Sequence, residues 1–382
     1  MAISKTIKEK TNMTEMKVGY SYLAEQFADP EAILNRIKQL LKKGDFTLGN
    51  AVEEFEKGFA QLHKVRFAIG VNSGTDALFL ALKALGIGSG DEVISAPNSF
   101  IATTGAIVMS GAKPVFVDAN DEYLLDPNLI EKAITPKTKA IMPVHLTGNA
   151  ADMEKILAIA KKHNLRVVED AAQAVSAAID GKPVGGFGDA AGFSLHPLKN
   201  LNVWGDGGMI TTNSEDLARS LRLLRNHGLK TRDEIQIFGI NSRLDTLQAI
   251  VGNHILNELK PITEARIRNA AIYDKAFSKL SQFIKIPPRK PNVRQVYHTY
   301  VIQVQDRDKL HKYLLDNGVD TKIHYPIPIH LQEAAKHLGY KKGAFPVTEK
   351  QTDEILTLPV HQAVTQEKIA YVIECVEKFY KP

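Results

Sequence analysis

From Arg66 to about Asn213, short apolar runs alternate with stretches whose apolar positions recur at helical spacing. That alternation predicts an α/β unit, a mainly parallel sheet covered by helices. RFAIGVN (Arg66–Asn72) reads as a buried strand, and Thr75–Leu85 after it as a helix closed by Gly86. DEVISAP, SFIATTGAIVMSG and KPVFVDA repeat the order strand, helix, strand, and KAIMPVHL, ADMEKILAIAKKHN and LRVVEDAA repeat it again. AAGFSLH and GGMITTN are two further strands, joined by a loop short enough for one of the pair to run antiparallel.

Past Ser214 the pattern changes. SEDLARSLRLLRNH opens on an N-capping serine and an acidic first turn, and a long helical stretch runs from about Arg243 to Leu280. Pro261 is expected to break or kink it. After IPPRKPN (Ile286–Asn292) comes a smaller mixed unit: strand YHTYVIQV, helix DRDKLHKYLLDNG, strand TKIHYP and an amphipathic helix near Thr365–Tyr380. The expected division is a frayed polar leader at residues 1–15, a large domain at 16–260 and a smaller α+β domain at 261–382.

Composition narrows the functional classes. A chain of 382 residues with 44% hydrophobic residues exceeds one small core, which agrees with two packed units. Its net charge of +5 is far from the dense basic stripe that nucleic acid demands, so no nucleic-acid partner is expected. The single cysteine, Cys375, excludes an intramolecular disulfide and a cysteine-rich metal site, and no metal is expected; a reducing cytoplasm fits. The opening MAISKTIKEKTN lacks a signal-peptide core, and no uncharged apolar run reaches bilayer-spanning length, so no membrane partner is expected.

Ligands of an open α/β sheet gather where strands end, so the residues after each strand hold the candidate chemistry. Asn72-Ser73-Gly74-Thr75-Asp76-Ala77 is a small turn feeding a helix. Its amides and hydroxyls form either an anion site or an ordinary cap by Ser73 or Thr75. In Glu169-Asp170-Ala171-Ala172-Gln173, Asp170 is either a loop cap or the partner of a protonated ring nitrogen, with Gln173 in reach of a ring oxygen. Ser194-Leu195-His196-Pro197-Leu198-Lys199 sets a lysine on a loop after a buried strand. Desolvation there gives a neutral, imine-forming amine, whereas most lysines are merely solvated surface groups. Phe100 is a stacking face for a ring or a core aromatic. The glycines of Gly205-Asp206-Gly207-Gly208 let backbone pass close to a ligand, and GGFG at Gly185–Gly188 reads as a loop.

SGTDAL, PNSFIATT, PVHLTGNAADM, VVEDAAQA, FSLHPLKNLNVWGDGGMITTN, GINSRLDTLQA and HYPIPIHLQ resemble, in order and spacing, the motifs of the DegT/DnrJ/StrS family of nucleotide-sugar aminotransferases. The resemblance runs from about Val18 to Phe379. It implies the type I, aspartate aminotransferase-like fold of enzymes that use pyridoxal 5′-phosphate (PLP) and its pyridoxamine form (PMP). It also implies a homodimer with both active sites at the subunit interface, and transfer of an amino group from L-glutamate to a nucleotide-linked keto sugar. By the same resemblance Lys199 is the Schiff-base lysine and Asp170 the partner of the pyridine nitrogen, Gln173 contacts the ring oxygen and Phe100 stacks. Gly74, Thr75 and Ser194 form the phosphate cup, joined by Asn241 from the other subunit, while Arg243, His324 and Tyr325 match positions facing the sugar nucleotide or the donor carboxylate. Leu195 and Leu198 depart from the phenylalanine and threonine common among relatives, which alters the pocket and not the chemistry.

Three other readings compete. A dehydratase branch of the family has histidine where Lys199 stands, and a non-catalytic regulatory member of the same fold needs no base. A nicotinamide enzyme would carry Gly-x-Gly-x-x-Gly after the first strand, which Asn72–Ala77 does not supply. The lysine together with Asp170, Gln173 and Ser194 favours transamination.

Overall fold

The computed structural model describes residues 17–381, so the expected leader at residues 1–15 lies outside the described residues. The central sheet has seven strands: β1 (Phe67–Val71), β2 (Glu92–Ser95), β3 (Lys113–Phe116), β4 (Thr138–Ile141), β5 (Arg166–Asp170), β6 (Ala190–Ser194) and β7 (Gly208–Thr212). Their spatial order is β1-β7-β6-β5-β4-β2-β3. Every neighbouring pair is parallel except those of β7, which runs antiparallel to both β1 and β6. The reversed member of the AAGFSLH–GGMITTN pair is thus the second, and the mainly parallel α/β architecture is the expected one. β2 and β7 are buried at every position, as a sheet covered on both faces requires.

Local signals set the helix ends. Ser73 caps the Gly74–Ala84 helix, its Oγ accepting the Asp76 N–H at 3.1 Å, and Gly86 takes up a φ of +74° just beyond the far end. Ser214 caps Glu215–Leu224 in the same way through the Leu217 N–H.

Two expectations about the second half need correction. Pro261 does not break the long helix, which runs unbroken from Thr246 to Phe277. Proline removes one intrahelical bond, at about 3 kcal/mol, but Pro261 sits on the exposed side while Leu259 and Ile262 on either side of it are buried in the core. The second correction concerns TKIHYP, which is not a strand: only Lys322 bridges, to Thr357, because Pro326 and Pro328 lack the N–H groups a ladder needs. The third strand of the C-terminal sheet is instead Ile355–Leu358 (β10), which joins β8 (Ile284–Lys285) and β9 (Tyr300–Val304) in an antiparallel β8-β9-β10 sheet. Helices Arg307–Asp316 and Gln366–Tyr380 cover it through Leu310, Leu314, Ile369, Val372 and Val376.

The long helix serves both hydrophobic cores. Ala249, Ile250, Ile255 and Leu259 pack with the sheet, while Ala270, Tyr273 and Phe277 pack with the C-terminal unit. The proposed division between residues 260 and 261 therefore falls inside a continuous helix. Val18 joins the C-terminal core and bridges to Val319, which ties the start of the described chain to that unit and not to the sheet.

Candidate active site

The carboxyl ends of β1, β5 and β6 open onto a cavity of about 320 Å³, a size typical of small-molecule sites. Gly74, Thr75 and Ser194 line one part, Asp170, Gln173 and Lys199 another, and Phe100, His324 and Tyr325 a third. Residues spread over some 250 positions of sequence are gathered by strand ends and loops into one chamber.

The anion cup is built by close packing. A Cβ on Gly74 would lie 2.7 Å from Ser194 Cβ, so only glycine lets the helix start against the Ser194 hydroxyl. The Gly74 and Thr75 amides are the first of their helix and have no intrahelical acceptor, which leaves them free for an anion. Ser73 caps the same helix through the Asp76 N–H and leaves the Gly74 and Thr75 amides unused, so the cap does not exclude an anion there.

Asp170 and Lys199 stand in one electrostatic unit. Burial draws the Lys199 amine down to about 8, against the pull of the Asp170 carboxylate. Burial pushes Asp170 up; a 2.6 Å hydrogen bond donated by Thr103 Oγ1, the Ala172 N–H at 3.1 Å and the nearby Lys199 charge work against it. A desolvated amine beside a buried carboxylate, with an anion cup close by, suits a phosphorylated aldehyde with a basic ring nitrogen. PLP is such a group.

The remaining expectations divide. Gln173 Oε1 accepts the Thr147 N–H at 2.7 Å, which turns its Nε2 into the cavity toward the Tyr325 hydroxyl at 3.4 Å. Phe100 immediately precedes the Ile101–Ser110 helix, is 53% exposed and tilts against Tyr325, so it is not a core aromatic. His324 stacks on Tyr20, accepts or donates at Thr357 Oγ1, and is kept neutral by burial, which lowers it to about 4. Asn241 and Arg243 do not enter this chain's cavity: Asn241 is exposed, and Arg243 Nη1 donates to Asn226 Oδ1 at 3.0 Å.

Sequence reading missed Tyr20, Thr103, Asp206 and His298, which also line the cavity. Thr103 had a signal, since it follows Phe100 by three positions in PNSFIATT and so shares its helix face. Tyr20 and His298 had none, because only the tertiary fold brings them there. Among the described residues, no group of three or more His, Cys, Asp or Glu is placed to hold a metal.

Behind Asp170, the GGFG segment has a structural task. Glu169 is fully buried, its Oε1 accepting the Phe187 and Gly188 N–H groups and its Oε2 the Gly185 N–H, each at 2.8 Å. His145 Nδ1 accepts the Ala151 N–H, so its Nε2–H donates to Glu169 at 2.9 Å. Burial raises Glu169, but these donors outweigh it and hold the carboxyl below its usual value.

Known proteins resemble this chain in sequence and in fold. A pleiotropic regulatory protein of Geobacillus stearothermophilus is 42% identical over 96% of this chain and 99% of its own length. A dTDP-3-amino-3,6-dideoxy-alpha-D-galactopyranose transaminase of Aneurinibacillus thermoaerophilus is 42% identical over 91% of this chain and 95% of its own. The crystal structure of NtdA from Bacillus subtilis, with bound cofactor PMP, superposes with a TM-score of 0.90 at 34% identity, covering 97% of this chain and 87% of that one. Residues 28–377 match the model of the DegT/DnrJ/EryC1/StrS aminotransferase family, and with the lysine, carboxylate and anion cup in one cavity, the chain belongs to that family.

Proposed function

We propose that this protein transfers an amino group from L-glutamate to a keto sugar linked to a nucleoside diphosphate. The observation that carries the reading is the placement of a desolvated amine, Lys199, and a buried carboxylate, Asp170, in one cavity with an anion cup. When bound, PLP supplies an aldehyde that captures amines and a ring that accepts the electrons of a breaking bond. The chain supplies the rest. Gly74 and Thr75 amides with the Ser194 hydroxyl would hold the phosphate, Phe100 would cover a ring face, and Gln173 Nε2 would donate to the ring oxygen. Asp170 would keep the ring nitrogen protonated, and Lys199 Nζ would take the α-proton of the donor amino acid and deliver it to the carbon that had been the cofactor's aldehyde.

The sugar-nucleotide acceptor is supported by the dTDP-sugar transaminase at 42% identity. A lysine at position 199 speaks against the dehydratase reading, and base and carboxylate in one cavity speak against a purely regulatory one. Ile235, Phe238 and Ile240 are 62%, 100% and 38% exposed beside Asn241 and Arg243, an apolar surface that suits a second copy of the chain. Asn241 and Arg243 then reach the partner's cavity, and sedimentation at twice the mass of one chain checks the dimer. The single buried Cys375 fits a reducing cytoplasm as the place of reaction.

Borohydride reduction of the PLP-saturated protein is expected to fix a pyridoxyl label on Lys199. Glutamate alone is expected to yield 2-oxoglutarate and PMP, and Lys199→Ala to abolish turnover. A label on another residue, or full turnover in Lys199→Ala, overturns the reading. Mass spectrometry across a panel of keto sugar nucleotides then identifies the acceptor.

A further inference from the structure

Asp170 does not hold its own orientation. Its Oδ1 accepts the Ala172 N–H of its own loop, whereas its Oδ2 accepts the hydroxyl of Thr103 from the Ile101–Ser110 helix after β2. Ala172 moves with Asp170, but Thr103 belongs to a separate wall of the cavity, so its 2.6 Å bond fixes the carboxylate relative to a second element. Thr103 is 1% exposed. Each carboxylate oxygen still has a lone pair to offer.

We infer that Thr103 is a positioning residue for the reaction, holding Asp170 rotated and ionised so that a remaining lone pair meets the proton on the ring nitrogen. The inference rests on the assignment of Asp170 to that nitrogen. The titratable groups around Asp170 are Lys199, His145 and Tyr325. Lys199 must be neutral to act as a base, so at that moment its charge is not there to stabilise the carboxylate. The Thr103 hydroxyl and the Ala172 amide then oppose the effect of burial.

The next residue is a built-in control. The Thr104 hydroxyl is also buried, yet it has no hydrogen-bond partner among the described residues. Thr103→Val removes the donor and keeps the shape, Thr103→Ala removes it without an added methyl, Thr103→Ser keeps it, and Thr104→Val removes a hydroxyl that holds nothing. Each variant is loaded with PLP labelled with ¹⁵N in the ring, and the ring-nitrogen chemical shift, the Kd for PLP and the unfolding temperature of the apoprotein are recorded. In Thr103→Val and Thr103→Ala the nitrogen signal is expected to move toward its unprotonated position, with Kd raised about tenfold, the equivalent of one hydrogen bond. Thr103→Ser and Thr104→Val are expected to match the unaltered protein. An unchanged nitrogen signal in Thr103→Val and Thr103→Ala, whatever their stability, overturns the inference, as does a Thr103→Ser signal displaced as far as theirs. Ring protonation untouched in Asp170→Asn would sink the assignment of Asp170 itself, and the role of Thr103 with it.

Discussion

β5 ends in two adjacent carboxylates that face opposite sides of the sheet, and their surroundings are opposite in kind. Glu169 points away from the cavity and is saturated: three backbone amides and the His145 ring occupy both oxygens. Asp170 points into the cavity and has two donors, with lone pairs left over. Both are buried, at 0% and 4% exposure, so burial does not distinguish them. The supply of donors does. A saturated carboxylate fastens backbone, here the GGFG loop, while an unsaturated one beside a desolvated amine is available for chemistry.

Three measurements break or sharpen this contrast, and the largest effect belongs to the structural side. Glu169→Gln puts an amide N–H₂ against backbone donors and is expected to lower the unfolding free energy by about 3–5 kcal/mol. Turnover per folded molecule should fall by less than about tenfold; urea unfolding with activity normalised to folded protein tests both, and the reverse pattern would abolish the distinction. Asp170→Asn is expected to behave oppositely, slowing proton abstraction on the order of 10² to 10³-fold while shifting unfolding by less than about 1 kcal/mol. Pre-steady-state traces with glutamate separate that step from donor binding.

The smallest effect is one of pH. With the Lys199 amine at about 8 instead of its usual 10.5, its neutral fraction grows as pH rises and levels off above 8. Capture of PLP by the apoprotein should therefore speed up roughly tenfold between pH 7 and 9 and then plateau. A rate still climbing between pH 9 and 10 would mean that burial does not perturb the amine.

How much of this was legible in the sequence follows the same contrast. The strands of the sheet were readable because each is a short, mostly buried apolar run bounded by turn residues, and β2 and β7 are buried at every position. Lys199, Asp170 and the Gly74–Thr75 turn were readable because they follow strands directly. The course of Thr321–Pro328 was not, since its apolar and polar alternation imitates a strand while two prolines deny it a ladder. The effect of Pro261 was not, since an exposed face tolerates the ring and flanking core contacts offset the missing bond. Glu169 had no role beside Asp170 in EDAAQ, and GGFG read only as a loop. Only their meeting, across sixteen or more positions, gave either a role.

The 32-residue helix from Thr246 to Phe277 makes the protein mechanically one object. It is a beam with one end set in each hydrophobic core. A cut near its middle would part the side chains that pack with the sheet from those that pack with the C-terminal unit.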